Sequence, residues 1–245
     1  MPLERIDKLI ASQGALSRSD VRRLIRSGAI MLNGASVRDA GQKADPEADR
    51  ITVSGQPLLL SKYLYLMLDK PEGIVSASRD PKQKTVIDLV PAELRRGGLF
   101  PAGRLDKDTT GFVLITNDGD FAHRILSPKK HIPKTYLARL ARPADETLAE
   151  AFRSGVVLAD GTRCMEAGLR ILEGGETPLA EVVLREGKYH QIKRMFAACG
   201  NEVTALRRIK MGNLPLDETL GPGGCRQITA QELARITRGE KREEA

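Results

Sequence analysis

The chain has 245 residues, 41% of them hydrophobic, 29% charged and 4% aromatic, with a formal net charge of +7. That length supports one or two domains with a real core, and no apolar run approaches the roughly 20 residues a membrane helix needs. Cys164, Cys199 and Cys225 lie far apart without CxxC spacing, and His123, His131 and His190 form no cluster. This argues against a disulfide framework or a zinc site and fits a reducing cytosol. At the N-terminus, "MPLERIDKLIASQG" carries charges through its apolar pattern, unlike a secretory signal. Leu3, Ile6, Leu9 and Ile10 keep helical spacing there, with Pro2 near the first helical position and Gly14 past the end. A second helix opens at Ser17, where Ser17-x-x-Asp20 reads as a capping box, and closes at Gly28. Its apolar face is Val21, Leu24 and Ile25, while Arg18, Arg22 and Arg26 form a basic stripe on another face. Short strands then surround the Asn33-Gly34 turn in "AIMLNGASV", followed by "DRITVSG".

An arginine stripe by itself is what any solvated helix face can show. Two helices followed by an Asn-Gly hairpin, with basic residues concentrated here, resemble the S4 RNA-binding domain, and "RSGAIMLNGASV" carries that resemblance. Gln56–Lys62 reads as a short linker. Beyond it, "YLYLML" predicts a strand ending at a Lys70–Gly73 turn, "FVLIT" a strand covered on both faces, and Phe121–Leu126 a helix. "KTYLARL" (134–140) alternates as a strand should, Glu146–Phe152 is helical, and "AEVVLREG" is a strand feeding the helix "HQIKRMFAACG". "NEVTALRRIKMG" is extended, and "CRQIT" precedes a closing helix "AQELARI". Strands and helices without regular βαβ alternation predict an α+β fold.

Charge is unevenly spread. Residues 185–210 hold Arg185, Lys188, Lys193, Arg194, Arg207, Arg208 and Lys210 against Glu186 and Glu202 only, and a second basic stretch lies in the first 38 residues. Two separated basic stretches suggest a polyanion longer than a mononucleotide. The absence of Trp and the few aromatics argue against a surface of stacking platforms. No G-x-x-x-x-G-K-[ST] loop and no Ser nucleophile elbow is present. Asp106-Lys107-Asp108 could hold Mg²⁺ only through two acids with a lysine between them.

Asp106 itself stands in "GRLDKD" just before an apolar strand, either as a turn carboxylate bonding its own backbone or as a reactive group. Tyr136 lies in an alternating strand, where a tyrosine commonly buries its ring. In "EGKYHQIKRMF", Ile192, Met195, Phe196 and Cys199 share one helical face; Lys193 falls on its border and Arg194 nearer solvent. A border lysine can snorkel on the rim or deliver its ammonium to a cleft.

Together, "GRLDKDTTGFVLITNDGD", "KTY" and "EGKYHQIKRMF", in this order behind an S4-like domain, resemble the RNA pseudouridine synthases acting on ribosomal RNA. "GKYHQIKRMFAACGN" and "SPKKHIPKTYL" look most like the small-subunit (16S rRNA) branch; large-subunit relatives more often carry arginine where Lys188 and Lys193 stand here. The resemblance implies an S4-like domain over 1–60, a catalytic domain over 61–242 built on a mixed, largely antiparallel sheet with flanking helices, and a tail at 243–245. It implies Asp106 as the essential residue, Tyr136 packing against the target base and Lys193 supplying the balancing cation. Arg104, Arg18, Arg22, Arg26, Lys188, Arg194, Arg207 and Arg208 are the expected RNA contacts. No cofactor and no metal is expected, since converting uridine to pseudouridine needs no redox step or group donor. The expected partner is ribosomal RNA, 16S rather than 23S, free or in an assembly intermediate, bound by a monomer with no membrane association. A protein that only binds RNA through its S4-like domain is the rival of a different class.

Overall fold

The opening helix is shorter than its apolar spacing predicts. The computed structural model describes residues 3–14, 16–58, 60–127 and 132–237. Leu3 is exposed, Glu4–Arg5 form a strand (β1), and the helix α1 begins only at Ile6 and runs to Ala11. Pro2 and the 243–245 tail lie outside the described residues. The second helix, α2 (Arg18–Arg26), starts at the predicted capping box: Ser17 accepts from the Asp20 backbone N–H and Asp20 returns a bond to Ser17. A hairpin of β2 (Ile30–Leu32) and β3 (Ala35–Ser36) turns through Asn33 and Gly34, both at positive φ, as a two-residue Asn-Gly loop requires.

Strand β4 (Lys43–Ala44) pairs with β1, and β5 (Ile51–Val53) pairs with β2. Gln56–Leu58, expected to be linker, instead forms β6 and adds to β5. Ile6, Leu9 and Ile10 of α1 meet Val21 and Ile25 of α2 and Ile30, Leu32 and Ile51 of the strands in one apolar core. Residues 1–64, joined by 90–99, form one compact unit around it.

Residues 65–89 and 100–245 form the second unit. Its strands are β7 (Tyr65–Lys70), β8 (Phe100–Pro101), β9 (Thr110–Thr116), β10 (Lys134–Leu140), β11 (Gly168–Glu173), β12 (Leu179–Leu184), β13 (Val203–Met211), β14 (Leu214–Pro215) and β15 (Cys225–Gln227). The main path of the sheet is β11-β12-β10-β13-β9-β7-β15, with β8 on β9 and β14 on β13. Among the described strands of this sheet, only β9 and β13 run parallel. The fold is α+β with a mixed, largely antiparallel sheet. Its helices are α3 (Gly119–Leu126), α4 (Glu146–Ser154), α5 (Gln191–Ala198) and α6 (Ala230–Thr237). One core gathers Phe112 and Leu114 of β9 with Phe121 and Ile125 of α3 and Ile236 of α6. Phe152 of α4 and Phe196 of α5 pack with ring centroids 4.8 Å apart.

The parallel pair depends on one glycine. Gly111 has φ +96°, and a Cβ there would lie 2.2 Å from the Arg208 carbonyl oxygen. Only glycine lets β9 and β13 come this close and tolerates that φ. β9 is thereby fixed immediately after the Asp106 loop.

Candidate active site

The segment between β8 and β9 carries Asp106, and its backbone is held from several sides. Lys70, the buried last residue of β7, donates from Nζ to the carbonyls of Pro71 (3.1 Å), Lys107 (3.1 Å) and Thr109 (2.8 Å). Gly73 N–H reaches the Lys107 carbonyl at 2.9 Å, and Leu105 N–H reaches Ser76 Oγ at 3.1 Å. The Thr109 N–H closes back on the Asp106 carbonyl at 3.1 Å. Burial lowers the Lys70 pKa to about 8, although Asp108 and Asp106 nearby favour its charge. Leu105 is buried beneath the loop while Arg104 is exposed and makes no side-chain hydrogen bond or ion pair among the described residues. The internal salt bridge that would tie Arg104 to Asp106 or Asp108 is not formed.

Two nitrogen-bearing side chains face the Asp106 carboxylate from the start of α5. His190 Nε2 is 3.5 Å from Oδ1, and Lys193 Nζ is 3.8 Å from Oδ2. Lys193 bonds Asp108 more closely, at 2.5 and 2.7 Å to its two oxygens, and this holds the Asp108 carboxyl below its ordinary pKa. Asp108 is therefore the hydrogen-bonded partner of the lysine. With an ammonium on both Asp108 oxygens, the pair Asp106 and Asp108 is arranged as an ion-pair cluster rather than as a divalent-cation site.

The lysine reaches the loop because the turn before α5 is pinned. Gln191 is buried, donates to Glu186 Oε1 at 2.5 Å and accepts from the Lys188 N–H at 2.9 Å. His190 closes the turn in the left-handed region, φ 46° and ψ 37°, with no side-chain cap on the helix. That conformation is uncommon outside glycine, although His tolerates it better than most.

Tyr136 sits on β10 with its ring nearly buried, opposite Arg208 of β13, which in turn pairs with Gly111 of β9. The Arg208 guanidinium carbon is 6.0 Å from the Tyr136 ring centroid, at the limit of a cation–π contact. Tyr136 therefore lies two strands across the sheet from the strand that follows Asp106.

The RNA pseudouridylate synthase family matches residues 64–198, and the S4 domain matches residues 4–51. An uncharacterized RNA pseudouridine synthase of Bacillus subtilis (strain 168) is 43% identical over 231 residues, covering 94% of this chain and 96% of that protein. Ribosomal small subunit pseudouridine synthase A of Escherichia coli (strain K12) is 40% identical over 233 residues, covering 95% of this chain and 99% of that protein. A crystal structure of a pseudouridylate synthase superposes with a TM-score of 0.65 at 38% identity, covering 95% of this chain and 99% of that one. The chain belongs to the RNA pseudouridine synthase family.

In this synthase, several of the basic residues expected to contact RNA are engaged within the protein. Arg208 is the clear correction. Only 2% of it is exposed, its Nε donates to the Phe112 carbonyl at 2.7 Å, and its Nη2 is buried with no partner. Strand alternation puts Arg207 and Arg208 on opposite faces, and Arg207 reaches the buried carboxylate of Asp69 at 2.8 Å. Arg194 bonds Asp160 at 2.5 Å, and Lys188 bonds Glu186. In the S4 unit, Arg18 and Arg22 of the stripe both reach the buried Asp7 carboxylate, which Arg5 also binds; Arg5 and Arg18 hold that carboxyl far below its usual range. Arg26 is exposed and without such a partner among the described residues.

Two residues outside the expected set also meet the Asp106 loop. His190, one of three histidines that form no cluster in the sequence, stands beside Asp106. Lys70 was read only as part of a turn, although a lysine ending an apolar strand is a recognisable oddity. An open cleft of about 640 Å³ adjoins the loop, lined by Asp108, Arg142, His190, Lys193 and Arg194 among others. The motif residues of the "SPKKHIPKTYL" stretch at 128–131 lie outside the described residues.

Proposed function

We propose that this chain isomerises a uridine of small-subunit (16S) ribosomal RNA to pseudouridine, with Asp106 as the reactive group. The observation that carries this reading is the Asp106 carboxylate on a clamped loop, faced by His190 at 3.5 Å and Lys193 at 3.8 Å. Near-full-length relatives named ribosomal small subunit pseudouridine synthase A support the choice of RNA. Residues 1–60 serve as the RNA-binding domain and 61–242 as the catalytic one.

The reaction breaks C1′–N1, turns the uracil and joins C1′ to C5; C5 then loses its proton and N1 gains one, so no external electron or group is needed. Asp106 acts on the nucleoside either by removing a ribose proton or by attacking it, and both roles require the ionised form. The Lys193 ammonium stands 3.8 Å from that carboxylate, and His190 Nε2 lies 3.5 Å from it. Tyr136 packs against the base and assists removal of the C5 proton, a transfer that works through hydrogen-bond distance or one water. The target leaves its stack to reach the carboxylate, at a cost of a few kcal/mol. Arg104, unpaired beside Asp106, contacts the flanking RNA, and Arg26 with the other exposed arginines of α2 holds phosphates, positioning the strand without reading bases.

Pseudouridine mapping of both ribosomal RNAs, with and without the active chain, tests this directly. A single small-subunit site should lose its pseudouridine in the deletion and regain it with the wild type but not with Asp106→Asn. Loss confined to the large-subunit RNA would redirect the substrate, and normal turnover by Asp106→Asn would remove Asp106 from its role.

A further inference from the structure

Tyr189 is 74% exposed, in a chain with four tyrosines and no tryptophan. A scattered exposed ring is ordinary on a protein surface; this one is built. Its ring stacks on that of His190, centroids 3.9 Å apart and planes within 15°. His190 is in turn fixed by its left-handed backbone and stands with Nε2 3.5 Å from Asp106 Oδ1. The turn beneath is anchored by Gln191 to Glu186, so the two rings are held before anything binds. One face of Tyr189 is covered by His190, which leaves the other for an outside planar group.

From the coplanar pair beside the carboxylate, we infer that Tyr189 is a stacking platform for the nucleobase next to the modified uridine. RNA recognition commonly splays unstacked bases onto aromatic side chains, and a pre-held ring spares the ordering cost of binding. The neighbouring cleft supplies what such a nucleotide also needs. His190 is shared between the cleft and the Asp106 pair; Lys193 and Arg194 line the cleft already paired with Asp108 and Asp160, and Arg142, whose guanidinium bonds the Gly200 carbonyl, is the cation there placed for an adjoining phosphate. A base on Tyr189 and a phosphate in the cleft would leave the flanking uridine turned toward Asp106. The stack thus acts on position rather than on bonds, and it accepts any base because every base has a π-face.

This inference rests on the reading of Asp106 as an RNA-modifying centre, and its test separates the two. The full chain and its Tyr189→Phe, Tyr189→Leu and Tyr189→Ala variants are titrated with a single-stranded RNA oligonucleotide carrying 2-aminopurine beside a central uridine. The same proteins are assayed for tritium release from 5-tritiated small-subunit rRNA transcript. Wild type and Tyr189→Phe should quench the fluorophore and bind alike. The Leu and Ala variants should lose the quench and bind about 5- to 150-fold more weakly, the ~1–3 kcal/mol of one base–aromatic stack. In the transcript assay their loss should fall mainly on KM. Thermal midpoints of all four should agree, because the ring is exposed. A Leu variant that binds and quenches as wild type does overturns the platform, as does a wild type that gives no quench. Tritium release unchanged in the Leu variant, with the wild type active, also overturns it while leaving the proposed function intact. Quenching that depends on the ring, in a chain releasing no tritium from the transcript, sustains the platform and removes the proposed substrate.

Discussion

Lys193 serves two carboxylates at once: its ammonium hydrogen-bonds both oxygens of Asp108 and stands 3.8 Å from Asp106. Its charge is therefore placed by Asp108 and felt by Asp106. Lys193→Met should lower the single-turnover rate on the order of 100-fold, the usual loss when a preorganised electrostatic group is removed from a reacting centre. Asp108→Asn should cost less, because the lysine stays and loses only part of its anchor. Arg194→Ala should cost least, since Asp160 already occupies that guanidinium. Quenched-flow measurement on rRNA transcript checks the order, and a larger loss for Arg194→Ala than for Lys193→Met would remove Lys193 from the centre. The border position of Lys193 was legible from helical spacing alone. His190 was not, because its approach to Asp106 depends on a left-handed residue and on a buried glutamine, neither of which has a local pattern. Arg208 shows a related effect: it belongs to one basic stretch of sequence with Arg207, whereas alternation in β13 sends it inward.

Elements with strong local chemistry were readable: the Ser17 capping box, the Asn33-Gly34 hairpin and the alternating "KTYLARL" all formed where their residues predicted. β11 and β6 were missed because their order comes from partners. Gly168–Glu173 is largely exposed along its length and is set by β12, and Gln56–Leu58 contains a proline and is set by β5. Asp118 of "NDGD" shows how such local signals couple to packing. Its side chain caps α3 through the Phe121 N–H at 2.9 Å and accepts the Tyr65 hydroxyl from β7 at 2.6 Å. Asp118→Ala removes a helix cap and the acceptor of the Tyr65 hydroxyl bond. The expected destabilisation is about 1–3 kcal/mol, read from urea denaturation; a loss below a few tenths would mean that neither bond contributes. Catalysis should survive in the folded fraction, since Asp118 belongs to the frame and not to the Asp106 loop.

Across the whole molecule, the 39 lysines and arginines overstate the cations open to RNA, because several are spent on internal carboxylates and carbonyls. Two lysines go further and lie buried. Lys70 and Lys134 are both pushed down to about 8 from the ordinary 10.5, chiefly by burial, with the Arg208 charge adding to the effect at Lys134. The sign follows from proton linkage. Between about 8 and 10.5 the unfolded chain holds protons on these lysines that the folded chain has released, so the two sites make stability rise with pH across that window. Below 8 both states are protonated and the cost of burying the ammonium groups is fully present. Glu232 works oppositely on the acid side: Arg226 bonds hold its carboxyl near 2, so its contribution is present above 4.5 and is lost as pH falls through 2. The alkaline limb can be isolated by comparing the wild type with a Lys70→Met, Lys134→Met double variant in urea at pH 7.5 and 9.5. Methionine cannot titrate, so the wild-type stability minus that of the variant should increase with pH, whatever its value at the start. A difference that stays flat or falls would mean that the ammonium groups gain as much from the carbonyls of Pro71, Lys107, Thr109 and Ile132 as burial takes away.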